Sequence, residues 1–230
     1  MKGIYIYHHL GLGDHILLNG FVRSYLDRYD KIHLFSKPQN TKNVQYMFRD
    51  LGNRLVVIPF EDSGVRDFMR IFPMHEYVVA GHTPDFFRRI DDPANGKTFD
   101  QLFYEDQNIP FETKWSEFHF ERNTAAEDRA FYESYGLKDD EEYIFIHESA
   151  DRPVTREIPE GIKQIRPDKM DVGIFDHLKI IEKAKEVHVM NSSFMNLIDC
   201  IQLRQDNLFY HEYSRPNINT VLKLPWKVFK

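Results

Sequence analysis

The most informative segment of the sequence is Gly3-Ile-Tyr-Ile-Tyr-His-His-Leu-Gly-Leu-Gly-Asp-His-Ile-Leu-Leu-Asn-Gly20. Its first part, Ile4 to Tyr7, is a short apolar run of β-branched and aromatic residues, which is typical of a strand. After the turn at residues 11–13, apolar residues recur at steps of three and four up to Tyr29, which predicts an amphipathic helix with Asp14 as its N-cap. A strand, a glycine turn and a helix N-terminus together form a corner where unpaired N–H groups converge.

This corner does not match the fingerprint of a dinucleotide-binding protein or a P-loop. Ile16 stands where the third glycine of Gly-x-Gly-x-x-Gly belongs, and no Gly-Lys-Ser/Thr is present. Instead, Gly13 is followed by the carboxylate of Asp14, which would repel a pyrophosphate. The corner is therefore better suited to holding or activating a neutral hydroxyl.

The composition excludes several classes of protein. A chain of 230 residues with 19 Phe and 12 Tyr can bury a large core, so disorder is not expected. The formal charge of -6 argues against a protein that coats nucleic acid. The single Cys200 excludes an internal disulfide, and no Cys and His cluster has zinc spacing. Without a signal peptide or a bilayer-length apolar run, we expect a soluble cytoplasmic protein with no stable membrane insertion.

Strand-like runs alternate with helical segments in both halves of the chain, which predicts an α/β protein with mainly parallel sheets. Between His82 and Trp115 this rhythm breaks, and only Phe99 to Glu105 is predicted to be helical. We therefore expect two Rossmann-like lobes that face a cleft, one in residues 1–122 and one in residues 123–230. The predicted strands are 4–7, 31–36, 54–58, 76–80, 143–147, 163–166, 186–190 and 207–211.

These pieces, in this order, resemble the GT-B glycosyltransferases, and most closely their heptosyltransferase-like group. Gly13-Asp14-His15-Ile16 matches the group's Gly-Asp-x-Ile/Leu loop, and the strand and basic loop from Tyr143 to Arg156 match the opening of its second lobe. The group's Asp-Ser/Thr-Gly-x-x-His motif is matched in part by Asn191-Ser192-Ser193-Phe194-Met195-Asn196. The chain is also similar to small glycosyltransferases of phages and large viruses, which would place it in the host cytoplasm.

The resemblance implies that a hexosyl or deoxyhexosyl group passes from a UDP- or GDP-linked sugar to a hydroxyl of an oligosaccharide or glycoconjugate. Asp14 would be the general base, assisted by His9 or His15. The structural alternative for Asp14 is a plain N-cap. No Asp-x-Asp motif stands at the end of a strand, so we expect transfer that needs no metal ion. A single general base fits inversion by direct displacement. We expect no cofactor and no nucleic acid partner.

The second lobe is expected to hold most of the donor. Arg152 and Arg156 would bind the diphosphate, although ion pairs with Asp151 and Glu157 are the alternative. Hydroxyl groups at the helix start after a strand would form a phosphate seat. The expected donor contacts are Gly11, Gly13, His147, Arg152, Arg156, Gln164, Ile165, Arg166, Asn191, Ser192, Ser193 and Phe194. The expected acceptor contacts are His8, His82 and Arg215.

Two other classes of function remain open. An NAD-type oxidoreductase is disfavoured by the missing third glycine and by the second strand, which ends in Phe35-Ser36-Lys37 without an acidic residue. A non-catalytic nucleotide- or carbohydrate-binding protein descended from a transferase is credible because the segment 191–196 departs from the group's motif.

Overall fold

The computed structural model describes residues 2–155, 158–214 and 220–230. The chain forms two compact units. The first comprises Met1–Glu121 and Asn219–Val221, and the second comprises Arg122–Ile218 and Leu222–Lys230. A short segment near the C-terminus therefore belongs to the first unit.

Four strands form the sheet of the first unit: β1 (Gly3–Tyr7), β2 (Lys31–Ser36), β3 (Leu55–Pro59) and β4 (Tyr77–Val79). They are parallel and lie in the order β3-β2-β1-β4. Ile4 lies opposite Ile32, and Ile6 lies opposite Leu34 on one side and Val78 on the other. These side chains lie on one face of the sheet and are almost fully buried.

The helices of the first unit are α1 (Leu12–Leu17), α2 (Asn19–Arg23), α3 (Thr41–Met47), α4 (Asp62–Ile71), α5 (Pro84–Asp91), α6 (Phe99–Asp106) and α7 (Thr113–Ser116), with 3-10 turns at Ser24–Asp27, Pro38–Asn40, Arg49–Arg54 and Pro93–Asn95. The predicted first helix is interrupted at Leu18, where Tyr104 Oη donates a 2.8 Å hydrogen bond to the carbonyl of Leu17. Gly20 then packs closely on α7, because a Cβ there would lie 2.1 Å from the carbonyl oxygen of Thr113.

Residues 82–115 are more regular than the sequence predicts, since α5, α6 and α7 all lie in this segment. The Thr83 side chain caps α5 by accepting from the backbone N–H of Phe86, at 3.1 Å. Phe86 and Phe103 are fully buried and pack on each other. Apolar burial therefore makes this segment part of the core of the unit.

A buried ion pair holds the returning C-terminal segment in the first unit. Lys114 Nζ lies 2.7 Å from Asp100 Oδ2, and it also donates to the carbonyl of Val221 at 2.7 Å. The backbone N–H of Val221 donates to Asp100, at 3.2 Å, and Thr98 Oγ1 donates to the same carboxylate. Both charges are thus hydrogen-bonded as well as paired, which buried charges require.

The second unit contains five strands: β5 (Tyr143–His147), β6 (Lys163–Ile165), β7 (Glu186–Val189), β8 (Leu208–His211) and β9 (Lys227–Phe229). They are parallel, in the order β6-β5-β7-β8-β9. The sequence does not predict β9, which has three residues at the edge of the sheet. The helical segments are α8 (Thr124–Asp128), a π-helical turn (Arg129–Ser134), 3-10 turns at Ile174–His177 and Glu212–Ser214, α9 (Leu178–Lys183) and α10 (Ser193–Cys200).

The prediction of an α/β fold with two parallel sheets is confirmed.

In the second unit, the buried Asp199 of α10 accepts hydrogen bonds from the N–H groups of Lys223 and Leu224 and from the Trp226 indole. These bonds position the chain that enters β9. Within the described ranges, no helix has the length and apolar character that a membrane span needs.

Candidate active site

The strand order of each sheet reverses at one place. In open parallel sheets, ligands bind outside the carboxyl ends of the strands at such a reversal. In the first unit the reversal lies between β1 and β4, and in the second it lies between β5 and β7. The predicted base follows β1, and the predicted phosphate seat follows β7.

Asp14 is not the N-cap that the sequence predicts. The helix α1 begins at Leu12 with Gly11 as its N-cap, so Asp14 is the third residue inside the helix, after Gly13. Its half-buried carboxylate lies against the glycine turn, because a Cβ built on Gly11 would be 2.5 Å from Asp14 Oδ2. The absence of a side chain at Gly11 therefore makes room for this carboxylate.

Polar contacts hold the loop that leads from β1 to Asp14. Asn40, which follows β2, donates from Nδ2 to the carbonyl of Leu10 at 2.9 Å. His9 Nε2 lies 2.6 Å from the carbonyl oxygen of Gly81, which follows β4. Because a carbonyl can only accept, Nε2 of His9 carries the proton in this contact. The loop is thus fixed to the ends of both neighbouring strands.

His8 and His15 lie inside the first unit. Both have no exposed surface, and their ring centroids are 4.5 Å apart. Burial lowers the pKa of His8 to about 3, and burial followed by repulsion from His8 holds the pKa of His15 well below its ordinary value. Both rings are therefore neutral at pH 7 and are not placed to touch a ligand at the surface of the loop.

The burial of His15 predicts a pH-dependent stability. Below the unfolded-state pKa of about 6.5, the unfolded chain binds a proton that the native ring does not, so stability is lost as the pH falls toward the native pKa. Between pH 6.5 and 5, His15 should lower the free energy of unfolding of the wild type by about 1.4 kcal/mol per pH unit. His15→Leu should not show this part of the loss. Urea denaturation of both proteins across this range checks the prediction. Parallel pH dependences would contradict it.

His9 and His82 are partly exposed at the same reversal. Burial lowers the pKa of each, so both are neutral at pH 7. Their ring centroids are 4.8 Å apart, and His82 also stacks on Tyr7 at 4.0 Å. The structure thus brings two of the predicted histidines together, beside the strand that leads to Asp14.

A charged group at this edge was not predicted from the sequence. Tyr7 Oη donates to Asp62 Oδ1 at 3.0 Å, and Lys37 Nζ lies 3.7 Å from Asp62 Oδ2. Burial and the Asp62 carboxylate raise the pKa of Tyr7 to about 12. Lys37 directly follows β2, and Asp62 begins the helix after β3. Their positions at the exits of these strands were the signal in the sequence that could have indicated them as site residues.

In the second unit, His147 at the end of β5 lies against Phe194 of α10, the helix that follows β7. Their ring centroids are 4.6 Å apart, and Phe194 also packs on Phe145 and His177. Burial, followed by His177, lowers the pKa of His147 to about 4. A neutral imidazole and an aromatic ring therefore lie at the reversal, where the sequence predicts donor contacts.

Ser192 is the N-cap of α10. Its Oγ accepts from the backbone N–H of Met195 at 3.5 Å, and Ser193 is the first helical residue. Asn191 precedes them and is almost fully buried. Both serines are partly exposed at the carboxyl end of β7, so the phosphate seat remains a prediction.

The basic residues near β5 and β6 differ in their contacts. Arg152 closes a tight turn after β5 and pairs with Asp151 at 3.4 Å, and both side chains are substantially exposed. Arg166 instead donates to Glu148 at 2.8 Å and to Gln164 at 2.7 Å, which ties the end of β6 to the loop after β5. The side chain of Ile165 is buried.

Two predicted basic contacts, Arg156 and Arg215, lie outside the described residues. Among the described side chains, no three His, Cys, Asp or Glu residues form a group that could ligate a metal ion. Transfer without a metal remains a prediction.

No protein-family model matches the chain, and no curated protein does. Solved structures are similar to it. The glycosyl transferase family 9 structure from Veillonella parvula DSM 2008 aligns with a TM-score of 0.57 at 14% identity, over 99% of this chain and 85% of its own. The fold is GT-B. The ADP-heptose LPS heptosyltransferase II of E. coli gives a TM-score of 0.55 at 10% identity, over 100% of this chain and 90% of its own.

The GT-B fold agrees with the architecture of the heptosyltransferase-like group that the sequence resembles. It places Asp14 after the first strand of the first unit and the His147–Phe194 pair at the reversal of the second. The resemblance to the phage and virus enzymes is not tested by these structures.

Proposed function

We propose that this protein transfers a glycosyl group from a nucleotide sugar to a hydroxyl of a glycan acceptor, with Asp14 as the general base. The observation that carries this proposal is the half-buried Asp14 carboxylate, which lies over Gly11 at the strand reversal of a GT-B fold. The similar solved structures, a family 9 glycosyl transferase and a heptosyltransferase, support a transferase over the oxidoreductase alternative.

The chemistry is a direct displacement at the anomeric carbon. The acceptor oxygen forms the new bond to this carbon while its proton passes to the Asp14 carboxylate. The bond to the diphosphate oxygen breaks, and its electron pair leaves with the nucleoside diphosphate. A single base and a single displacement invert the configuration. A general base of this kind contributes roughly 10²–10⁴-fold to the rate.

The second unit would hold the donor. The neutral ring of His147, which the buried Phe194 supports, would offer apolar contact, and the hydroxyls of Ser192 and Ser193 would offer hydrogen bonds at the start of α10. Arg152 can reach a diphosphate by exchanging its exposed pair with Asp151, which costs little because exposed ion pairs contribute only about 0–1 kcal/mol. Its guanidinium would offset the charge of the leaving group.

A thermal-shift panel with UDP, GDP, ADP and NAD tests the class of function. The ADP arm is included because the E. coli enzyme is an ADP-heptose transferase. A nucleoside diphosphate at 100 times its Kd should stabilise the protein by about 2.7 kcal/mol, or roughly 5–10 °C in Tm. The corresponding nucleotide sugar should then lose its sugar to a glycan acceptor.

Two variants sharpen this panel. Arg152→Gln should weaken binding of the stabilising nucleotide about tenfold or more, because it removes a bidentate contact to phosphate. The exposed Arg204→Gln is the matched control and should bind like the wild type. Stabilisation by NAD alone would favour the oxidoreductase, and nucleotide binding without transfer or donor hydrolysis would favour a non-catalytic binding protein.

A further inference from the structure

Phe87 is an exposed aromatic residue beside the reversal of the first unit. Its side chain is 47% exposed, whereas its neighbour Phe86 is fully buried. The Phe87 ring lies 6.2 Å from the ring of His9, and the two planes are inclined by 21°. Nearly half of the Phe87 side chain thus remains in solvent next to the loop that leads to Asp14.

The helix that carries Phe87 is held rigidly. Thr83 caps its N-terminus, and Phe86 anchors it to Phe103 of α6. At its other end, Arg89 pairs with Glu105 and Asp106 of α6, at 3.0 Å and 2.8 Å. A ring on a helix fixed by packing and ion pairs loses little conformational freedom when a ligand binds.

Polar groups suited to hydroxyls lie along the same edge. The neutral ring of His9 contacts both Phe87 and His82, and His82 stacks on Tyr7, whose hydroxyl binds the half-exposed Asp62. One face of a pyranose ring carries C–H groups that pack on the electron-rich face of an aromatic ring. Its hydroxyls need hydrogen-bond donors and acceptors, which imidazole and carboxylate groups supply.

We propose that Phe87 is the stacking platform for a pyranose ring of the acceptor, with His9, His82 and Asp62 beside it. The proposal rests on the proposed function and adds a neutral sugar ring as the acceptor group recognised here. A membrane surface is less favoured as the partner of Phe87, because the larger run of exposed apolar residues lies elsewhere in this unit. That run is at 71–74, where Ile71, Phe72 and Met74 are exposed. That run precedes β4 and therefore lies at the opposite, amino end of the sheet.

Phe72 provides a matched control because it is 45% exposed, almost the same as Phe87. Saturation-transfer difference NMR would use methyl glycosides of glucose, galactose, mannose and fucose. With the wild type, we expect saturation on the ring C–H protons of at least one glycoside. Phe87→Ala should reduce this signal at least tenfold, whereas Phe87→Trp and Phe72→Ala should keep it. Unchanged far-UV circular dichroism in each variant excludes unfolding.

The proposal is overturned if no glycoside is saturated by the wild type, or if Phe87→Ala and Phe72→Ala have equal effects. It is also overturned if Phe87→Ala abolishes binding to phosphatidylglycerol-containing vesicles while glycoside signals persist, because Phe87 would then be a membrane contact. The nucleotide panel reports on the proposed function independently. If glycosides bind through Phe87 but no nucleotide binds, Phe87 would keep its sugar-stacking role, whereas glycosyl transfer, and with it the assignment of that sugar as the acceptor, would be lost.

Discussion

Asp14→Asn is expected to lower kcat for glycosyl transfer by about 10³-fold, within the range observed for loss of a general base. Asparagine has nearly the same shape as aspartate, but it cannot take up the acceptor proton. Initial rates of product formation with a saturating donor measure this effect.

A charge-neutralising control separates this effect from a change in surface charge. Asp67 lies on α4 in the same unit and is 64% exposed. Asp67→Asn should transfer at a rate within twofold of the wild type. If Asp14→Asn were as active as Asp67→Asn, Asp14 would be a structural residue of α1.

Lys114→Met is expected to lower the free energy of unfolding by about 3–5 kcal/mol, because it leaves a buried carboxylate without its charge partner. Lys114 is 1% exposed and Asp100 has no exposed surface. The substitution also removes the hydrogen bond to the carbonyl of Val221. Urea denaturation at pH 7 measures the change.

The exposed pair of Lys97 and Glu105 provides the comparison, since both side chains are about two-fifths exposed. Lys97→Met should cost at most about 1 kcal/mol. A loss for Lys114→Met as small as that for Lys97→Met would show that solvent compensates the Asp100 carboxylate, contrary to its burial in this structure.

The strands are the part of the fold that the sequence predicts best. Residues 31–36 and 143–147 form strands with the predicted bounds. Both strands lie inside parallel sheets, where strands read as apolar runs that end at polar residues. These apolar runs are therefore local information that does not depend on the rest of the chain.

Elements that depend on distant contacts were missed. The break at Leu18 coincides with a hydrogen bond from Tyr104, 87 positions from its acceptor Leu17. The strand β9 is placed partly by Asp199, which binds the chain between 223 and 226. Local propensity cannot report such contacts, because tertiary packing overrides it.

The candidate site was predicted in part. Motif and strand-end position led to Asp14 and His147, which lie at the two strand reversals. The sequence could not distinguish the buried His15 from the partly exposed His9, because burial depends on what α1 packs against. Asp62 was missed because it follows the third strand, whose exit loop carries no glycine motif.

The most direct test of the central claim compares chemistry with donor binding in Asp14→Asn. Single-turnover rates and the donor Kd, measured on the same preparation of enzyme, separate the two. We predict a transfer step slower by about 10³-fold, with a donor Kd within twofold of the wild type. A transfer step at the wild-type rate, or a rate loss matched by an equal loss of donor affinity, would contradict the role of Asp14 as the general base.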